Sequence, residues 1–292
     1  MNRDCLRNSL DIENLIRTIV WKQEERKLHP YFMRTFGTCI YCGAQGEGKT
    51  LSAVQYVLKL CQLYPRAILV TNVAIKDRPF NTEMVLRTDE FGKAVLNDDN
   101  EPIYDLIKND GTLVTTDYIL DNVEYEDWEP ITVEYMGLNM LKNVNNEEYG
   151  VIFFIDEIHL ELNSLESKNI DIEVMVEISQ QRKQRKHIVG TSQVFMRMAK
   201  PLREQIYDIV LCSCWFGCVQ YNRYINGSTA VEKNGKLEAD VKGRYLWFHS
   251  PEMYQQYDTY AKMRRYNKEW KGRKRLDNIY DSEVKSDVSR KR

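Results

Sequence analysis

The sequence predicts an α/β protein built on a mainly parallel central sheet flanked by helices. Three observations carry that prediction. FGTCIYC, residues 36–42, is a short apolar run that leads into the glycine-rich GAQGEGKT, residues 43–50, after which a helical pattern begins. A second apolar run, VIFFI at 151–155, ends in Asp156 and Glu157. A third, HIVGTSQ at 187–193, ends in the polar Gln193. Short apolar runs separated by helical patterns read as strands of a parallel sheet buried on both faces.

The elements follow in order. Residues 1–35 read as an amphipathic helix and a linker, because Leu10, Leu15, Ile16, Ile19 and Val20 recur at near-helical spacing. This segment is expected to pack against the main domain or a neighbouring subunit. Residues 36–260 read as the core. After the glycine loop, TLSAVQYVLKLCQLY is a helix with Leu51, Val54, Val57, Leu58 and Cys61 on one face, stopped by Pro65. AILVTNVAI is the next strand. Residues 76–149 are less regular and more acidic, with an Asp110-Gly111 turn signal. They read as an irregular β-rich insertion with hairpins, closed by a short helix around GLNMLKNV. IDIEVMVEISQQRKQRK is a further helix, MAKPLREQIY a short helix or loop. DIVLCSCWFGCVQYNRYI is a strand continuing into a hairpin with GRYLWFHS. Residues 261–292 form a basic, polar tail.

Bulk composition narrows the class. The chain has 292 residues, 43% hydrophobic and 29% charged, with a formal net charge of −2, so the whole molecule has no strong pull toward nucleic acid or membrane. No apolar run approaches the roughly 18–20 residues of a membrane span. The first twenty residues carry acids where a signal peptide needs a clean apolar core, which predicts an intracellular protein. Seven cysteines, an odd count, then read as reduced thiols. Cys39 and Cys42 have zinc-knuckle spacing, and Cys212, Cys214 and Cys218 could complete a set. Cys42 however ends the strand before the glycine loop, and core packing is the expected role.

GAQGEGKT fits G-x-x-x-x-G-K-[ST], a phosphate-binding loop, in the context that confirms it: after a strand and opening a helix. Gly43, Ala44, Gln45, Gly46, Glu47, Gly48, Lys49, Thr50 and Leu51 are the candidate nucleotide-binding residues. Backbone N–H groups and the helix N-terminus point at the phosphates of ATP. Lys49 reaches the β- and γ-phosphates, and the Thr50 hydroxyl binds Mg²⁺. Asp156 at the end of a buried strand is the second Mg²⁺-directed group, and Glu157 is placed to polarise the attacking water. The acid pair favours hydrolysis over small-molecule kinase chemistry. DEIH also suggests a DExH helicase, but the length leaves no room for a second motor domain, and His159 reads as a local hydrogen-bonding residue. Gln193 is positioned to sense the γ-phosphate. Arg182 and Arg185 are candidates for an arginine given to a neighbouring subunit, against the plainer reading of a solvated basic helix end. In AKMRRYNKEWKGRKRL, residues 261–276, Arg264, Arg265, Lys268, Lys271, Arg273, Lys274 and Arg275 are candidate sequence-independent DNA contacts. Tyr266 and Trp270 are interleaved, and a solvated polar tail is the alternative.

With these pieces placed, the chain resembles the zonula occludens toxin-like branch of FtsK–HerA-type P-loop ATPases, which includes filamentous-phage assembly ATPases and related viral proteins. The resemblance rests on GAQGEGKT followed closely by ILVTNV, on VIFFIDEIH, on RKQRKHIVGTSQ with PLREQIYDIVL after it, and on YDTY at 257–260. It covers about residues 36–260 and leaves 76–149 unmatched. It implies a RecA-like core acting as a ring, usually a hexamer. Lys49 and Thr50 would hold nucleotide and Mg²⁺, Asp156 and Glu157 would serve hydrolysis, Gln193 would sense, and Arg182 would lie near the subunit boundary. Two features depart from the pattern: filamentous-phage members carry a membrane helix that this chain lacks, and VFMRM follows Gln193 where FtsK-like motors continue with arginine and proline. The leading expectation is a viral or phage genome-packaging ATPase that translocates DNA, with a capsid or portal component as partner, in host cytoplasm or on the virion. The rivals are a virion-extrusion ATPase and a non-translocating nucleotide switch or assembly scaffold. Arg182, Arg185 and Arg203 remain alternatives for the arginine acting in trans.

Overall fold

The computed structural model describes residues 12–125, 127–163, 172–233 and 236–257. Helix α1 (Ile12–Leu28) precedes β1 (Thr38–Cys42), the glycine loop and α2 (Lys49–Leu63). Next come β2 (Ile68–Thr71), β3 (Thr82–Leu86), β4 (Tyr104–Lys108), β5 (Leu113–Val114), α3 (Thr116–Asn122), β6 (Thr132–Glu134) and α4 (Met140–Asn143). Then follow β7 (Val151–Ile155), α5 (Ile172–Gln180), β8 (Lys186–Ser192), α6 (Lys200–Arg203), β9 (Ile206–Trp215) and β10 (Val219–Asn226). The last described elements are β11 (Val231–Lys233), β12 (Lys236–Glu238), β13 (Val241–Phe248) and α7 (Pro251–Tyr254).

Eleven strands make one sheet in the order β13-β10-β9-β1-β8-β7-β2-β6-β3-β4-β5. From β9 through β3 every neighbour pair is parallel. Antiparallel ribbons close both ends, β10–β13 beside β9 and β4–β5 beside β3. The fold is therefore the mixed α/β architecture that the apolar runs predict. The β-rich stretch 76–149 is less separate than its composition suggests: its strands β6 and β3 extend the parallel sheet, while β4–β5, turned at Asp110-Gly111, forms the end ribbon.

Every residue of β1, β2, β7 and β8 is buried, because helices and loops cover both faces of the sheet. On one face Cys39, Tyr41, Leu69, Ile152, Phe154 and Val189 pack against Leu51, Val54, Val57, Leu60 and Cys61 of α2. Of the α2 positions expected to be apolar and inward, Leu58 is only half-buried. On the other face Ile40, Cys42, Val70, Phe153, Ile155 and Ile188 pack against Val174 and Ile178 of α5 and Leu202 of α6. Cys39 and Cys42 thus belong to opposite faces of β1, and burial pushes both thiols up. That is the core role expected of them. Helix α1 has no buried residue, so its apolar stripe does not pack on the core. Among the described residues no helix is long and apolar enough to cross a membrane.

Candidate nucleotide site

Strand β8 lies between β1 and β7. The C-terminal ends of three adjacent parallel strands therefore bring together the glycine loop, Gln193 and the Asp156-Glu157 pair. In open parallel sheets this is the end at which ligands bind.

The loop's conformation requires its glycines. Gly46 has φ +86° and Gly48 φ +72°, a region that side chains disfavour. A Cβ on Gly48 would also lie 2.1 Å from Oε1 of Gln220. Lys49 is 6% exposed, and its Nζ donates to the Ala44 carbonyl at 3.0 Å, so the ammonium already sits inside the loop it would serve. The loop is braced from the side. Cys214 N donates to Glu47 Oε2 at 2.6 Å, and Gln220 Nε2 donates to the Glu47 carbonyl at 3.0 Å. Gln220 Nε2 also reaches Asn222 Oδ1 at 2.9 Å, and Asn222 Nδ2 donates to Ser52 Oγ of α2 at 3.1 Å.

The acidic pair is held from several directions. Thr50 Oγ1 and Thr191 Oγ1 both donate to Asp156 Oδ1, at 2.9 and 2.6 Å. Asn72, at the end of β2, clamps the Asp156 backbone: its Nδ2 donates to the carbonyl at 3.0 Å and its Oδ1 accepts from the N–H at 2.8 Å. Burial pushes the Asp156 carboxyl up, and the two hydroxyls pull it back. Glu157 stands at φ +52°, a strained position for a non-glycine residue, and its N–H donates to Thr191 Oγ1 at 2.8 Å. Its side chain is 17% exposed. Gln193 Nε2 donates to Glu157 Oε1 at 3.2 Å. On the other side His159 Nδ1 lies 3.2 Å from Glu157 Oε2, without the alignment of a hydrogen bond. Burial pushes the His159 pKa down, with Glu157 opposing and Arg197 reinforcing, so the ring favours its neutral form.

Thr50 Oγ1 and Asp156 Oδ1 lie side by side, 2.9 Å apart, two oxygen ligands of the kind Mg²⁺ selects. The residues fit that ion, with phosphate and water left to complete its shell.

The structure thus unites Lys49, Thr50, Asp156, Glu157 and Gln193. It does not bring Arg182 to them. Arg182 is exposed just ahead of β8, at the opposite end of that strand from Gln193, beside a small cavity lined by Tyr56, His187 and Asp208. Arg185 donates to the Met33 carbonyl and covers the Phe32 ring, and Arg203 reaches Met196 Sδ. Arg264, Arg265, Lys268, Lys271, Arg273, Lys274 and Arg275 lie outside the described residues. Sequence reasoning passed over Asn72, Thr191, Gln220, Asn222 and Arg197 as site residues. The signal for Gln220 and Asn222 was two polar residues two apart in a strand, both pointing to the buried face.

Fold and loop together define a phosphate-loop α/β protein. No family model matches the chain, and no curated protein matches it. Several solved structures are similar. The N-terminal domain of zonular occludens toxin from Neisseria meningitidis is 12% identical, with 77% of this chain and all of that one covered, at a TM-score of 0.40. The genome packaging NTPase B204 of Sulfolobus turreted icosahedral virus 2, in complex with sulfate, is 10% identical over 75% of this chain and 98% of its own, at 0.40. The DNA-packaging ATPase B204 of Sulfolobus turreted icosahedral virus is 11% identical over 74% and 97%, at 0.35.

Proposed function

We propose that this chain is an Mg²⁺-dependent ATPase and the subunit of a ring-shaped, hexameric motor that translocates DNA without regard to sequence during viral genome packaging. The observation that carries the hydrolytic part is the contact of Gln193 with Glu157 beside the joined Thr50 and Asp156. Lys49 turns from the Ala44 carbonyl to the β- and γ-phosphates. Backbone N–H groups of residues 43–51 cradle the anion. Thr50 and Asp156 would hold Mg²⁺, which neutralises phosphate charge when bound. Glu157 accepts the proton of the attacking water. The Gln193 amide, which occupies Glu157 Oε1 in this state, is the donor a γ-phosphate oxygen competes for. Binding therefore exchanges one partner of Gln193 for another and frees the base. This exchange is the sensing step, and phosphate loss reverses it. Arg182, distant from its own site, fits a role toward a neighbouring subunit's site. The basic segment at 261–276 supplies the grip on DNA phosphates.

The test is steady-state ATP hydrolysis by the full chain with and without duplex DNA, at low and moderate salt, with Lys49→Ala as the blank. Stimulation by DNA that weakens with salt is the expected result. Hydrolysis indifferent to DNA would remove the translocation reading and leave an extrusion ATPase or a nucleotide switch. No hydrolysis above the blank would remove the enzyme reading altogether.

A further inference from the structure

The β9–β10–β13 meander has two faces of different character. Toward α2 it presents buried Gln220, Asn222 and Trp247. The register puts Trp215, Tyr221, Arg223, Arg244, Leu246 and Phe248 on the other face, with Phe248 opposite Val219, Leu246 opposite Tyr221 and Arg244 opposite Arg223. This second face is open: Trp215 is 48% exposed, Leu246 49% and Phe248 70%. Trp215 and Tyr221 stack with ring centroids 5.3 Å apart and planes 22° from parallel. Beyond the aromatics, the exposed residues Arg223 and Arg244 are register partners across a strand pair, and among the described residues neither has an ion-pair partner. Like charges opposed in this way destabilise a sheet.

We infer that this face is a binding platform for single-stranded nucleic acid. Its chemistry is that of a stacking surface with an electrostatic rail: planar rings for unstacked bases, and paired cations for the phosphates that link them. Strand spacing of about 4.8 Å and a same-face repeat of about 6.7 Å put rings and cations within one or two nucleotides of each other. An apolar protein partner would cover the rings but would strand both guanidiniums against carbon, at a desolvation cost that nothing on this face offsets. A polyanion relieves the Arg223–Arg244 repulsion instead. The platform does not depend on hydrolysis.

The experiment is fluorescence anisotropy of a labelled oligothymidylate of about 20 nucleotides, long enough to span several stacking positions, titrated with the full chain at several salt concentrations. Three full-length forms are compared: the parent, R223E/R244E and W215A/F248A. All substituted side chains are exposed, and melting temperature and ATP binding are followed alongside to show that each form is folded. R223E/R244E is expected to bind at least about tenfold more weakly, with its log–log salt slope reduced by roughly 1–1.5, the value for two lost phosphate contacts on a single strand. W215A/F248A is expected to lose about tenfold with the slope unchanged, since stacking is not ionic. Parent-like affinity in both variants overturns the inference. So does a change of sedimentation with affinity intact, which would make this face a protein interface.

Discussion

The centre of the sheet and its β10–β13 edge solve the same burial problem in opposite ways. At the centre, β7 reads VIFFI and every residue is buried, so side chains leave no room for chemistry, which is displaced to the strand ends. At the edge, β13 reads VKGRYLWF and within it only Trp247 is buried. There the inward face is partly polar, and its Gln220 and Asn222 brace the phosphate loop and α2 rather than fill a core. The centre supplies rigid placement. The edge supplies lateral support for the loop on one face and an open surface on the other.

The sharpest way to break this picture is at the strand ends. Glu157→Gln keeps the side chain's shape and removes the base, so hydrolysis should fall by about 10²–10⁴-fold while ATP still binds. Phosphate release and nucleotide binding, measured on the same preparation, check it. Unchanged turnover would mean that the carboxylate is not the base.

Two phenylalanines test centre against edge directly. Phe153→Ala, at 0% exposure, should cost about 3–5 kcal/mol of stability, whereas Phe248→Ala, at 70%, should stay within about 0.5 kcal/mol. Denaturant unfolding of both variants reads the contrast, and similar losses would contradict it.

A pH effect belongs to the central strands as well. His187 is 1% exposed; its Nδ1–H donates to the Gly37 carbonyl at 2.8 Å and its Nε2 accepts from the Tyr56 hydroxyl at 3.1 Å. Burial lowers its pKa to about 4. The unfolded chain therefore takes up this proton near pH 6.5 and the folded chain only near pH 4. The group's contribution is intact above about pH 6.5 and is lost as pH falls toward 4, by up to about 3 kcal/mol. His187→Gln should flatten this part of the stability–pH curve. A slope identical to the parent's would assign the acid sensitivity elsewhere.

Gln220→Ala is the gentler probe of the edge. It removes the donor to the Glu47 carbonyl and to Asn222 Oδ1 and should cost about 1–3 kcal/mol. If the edge braces the loop, the Michaelis constant for ATP rises with it. A stability loss with an unaltered Michaelis constant would make the brace purely structural.

The central strands were legible in the sequence because runs such as VIFFI and HIVGTS are apolar throughout, and only burial on both faces accommodates that. The phosphate loop was legible because its glycines, lysine and threonine are adjacent in the chain. Asp156, Glu157 and Gln193 could be read because each ends a recognisable strand. Gln220, Asn222 and Asn72 could not, because each acts on a partner far along the chain: Gln220 on Glu47, Asn222 on Ser52 and Asn72 on Asp156. Their roles depend on register and strand order, which local periodicity does not encode. The same holds for β3 and β6, whose short mixed sequences resemble loop yet extend the parallel sheet.

By itself, then, the sequence determined the α/β class, the central strands and the residues of the loop and acid pair, since these follow from hydrophobic period and contiguous motif. Only the tertiary structure decided that β8 lies between β1 and β7, so that Gln193 meets Glu157. It alone set Arg182 at the far end of that strand and opened one aromatic, arginine-bearing face at the sheet's edge. The reason is physical. Strand order and register arise from long-range burial and pairing, and those interactions exist only once the chain has closed on itself.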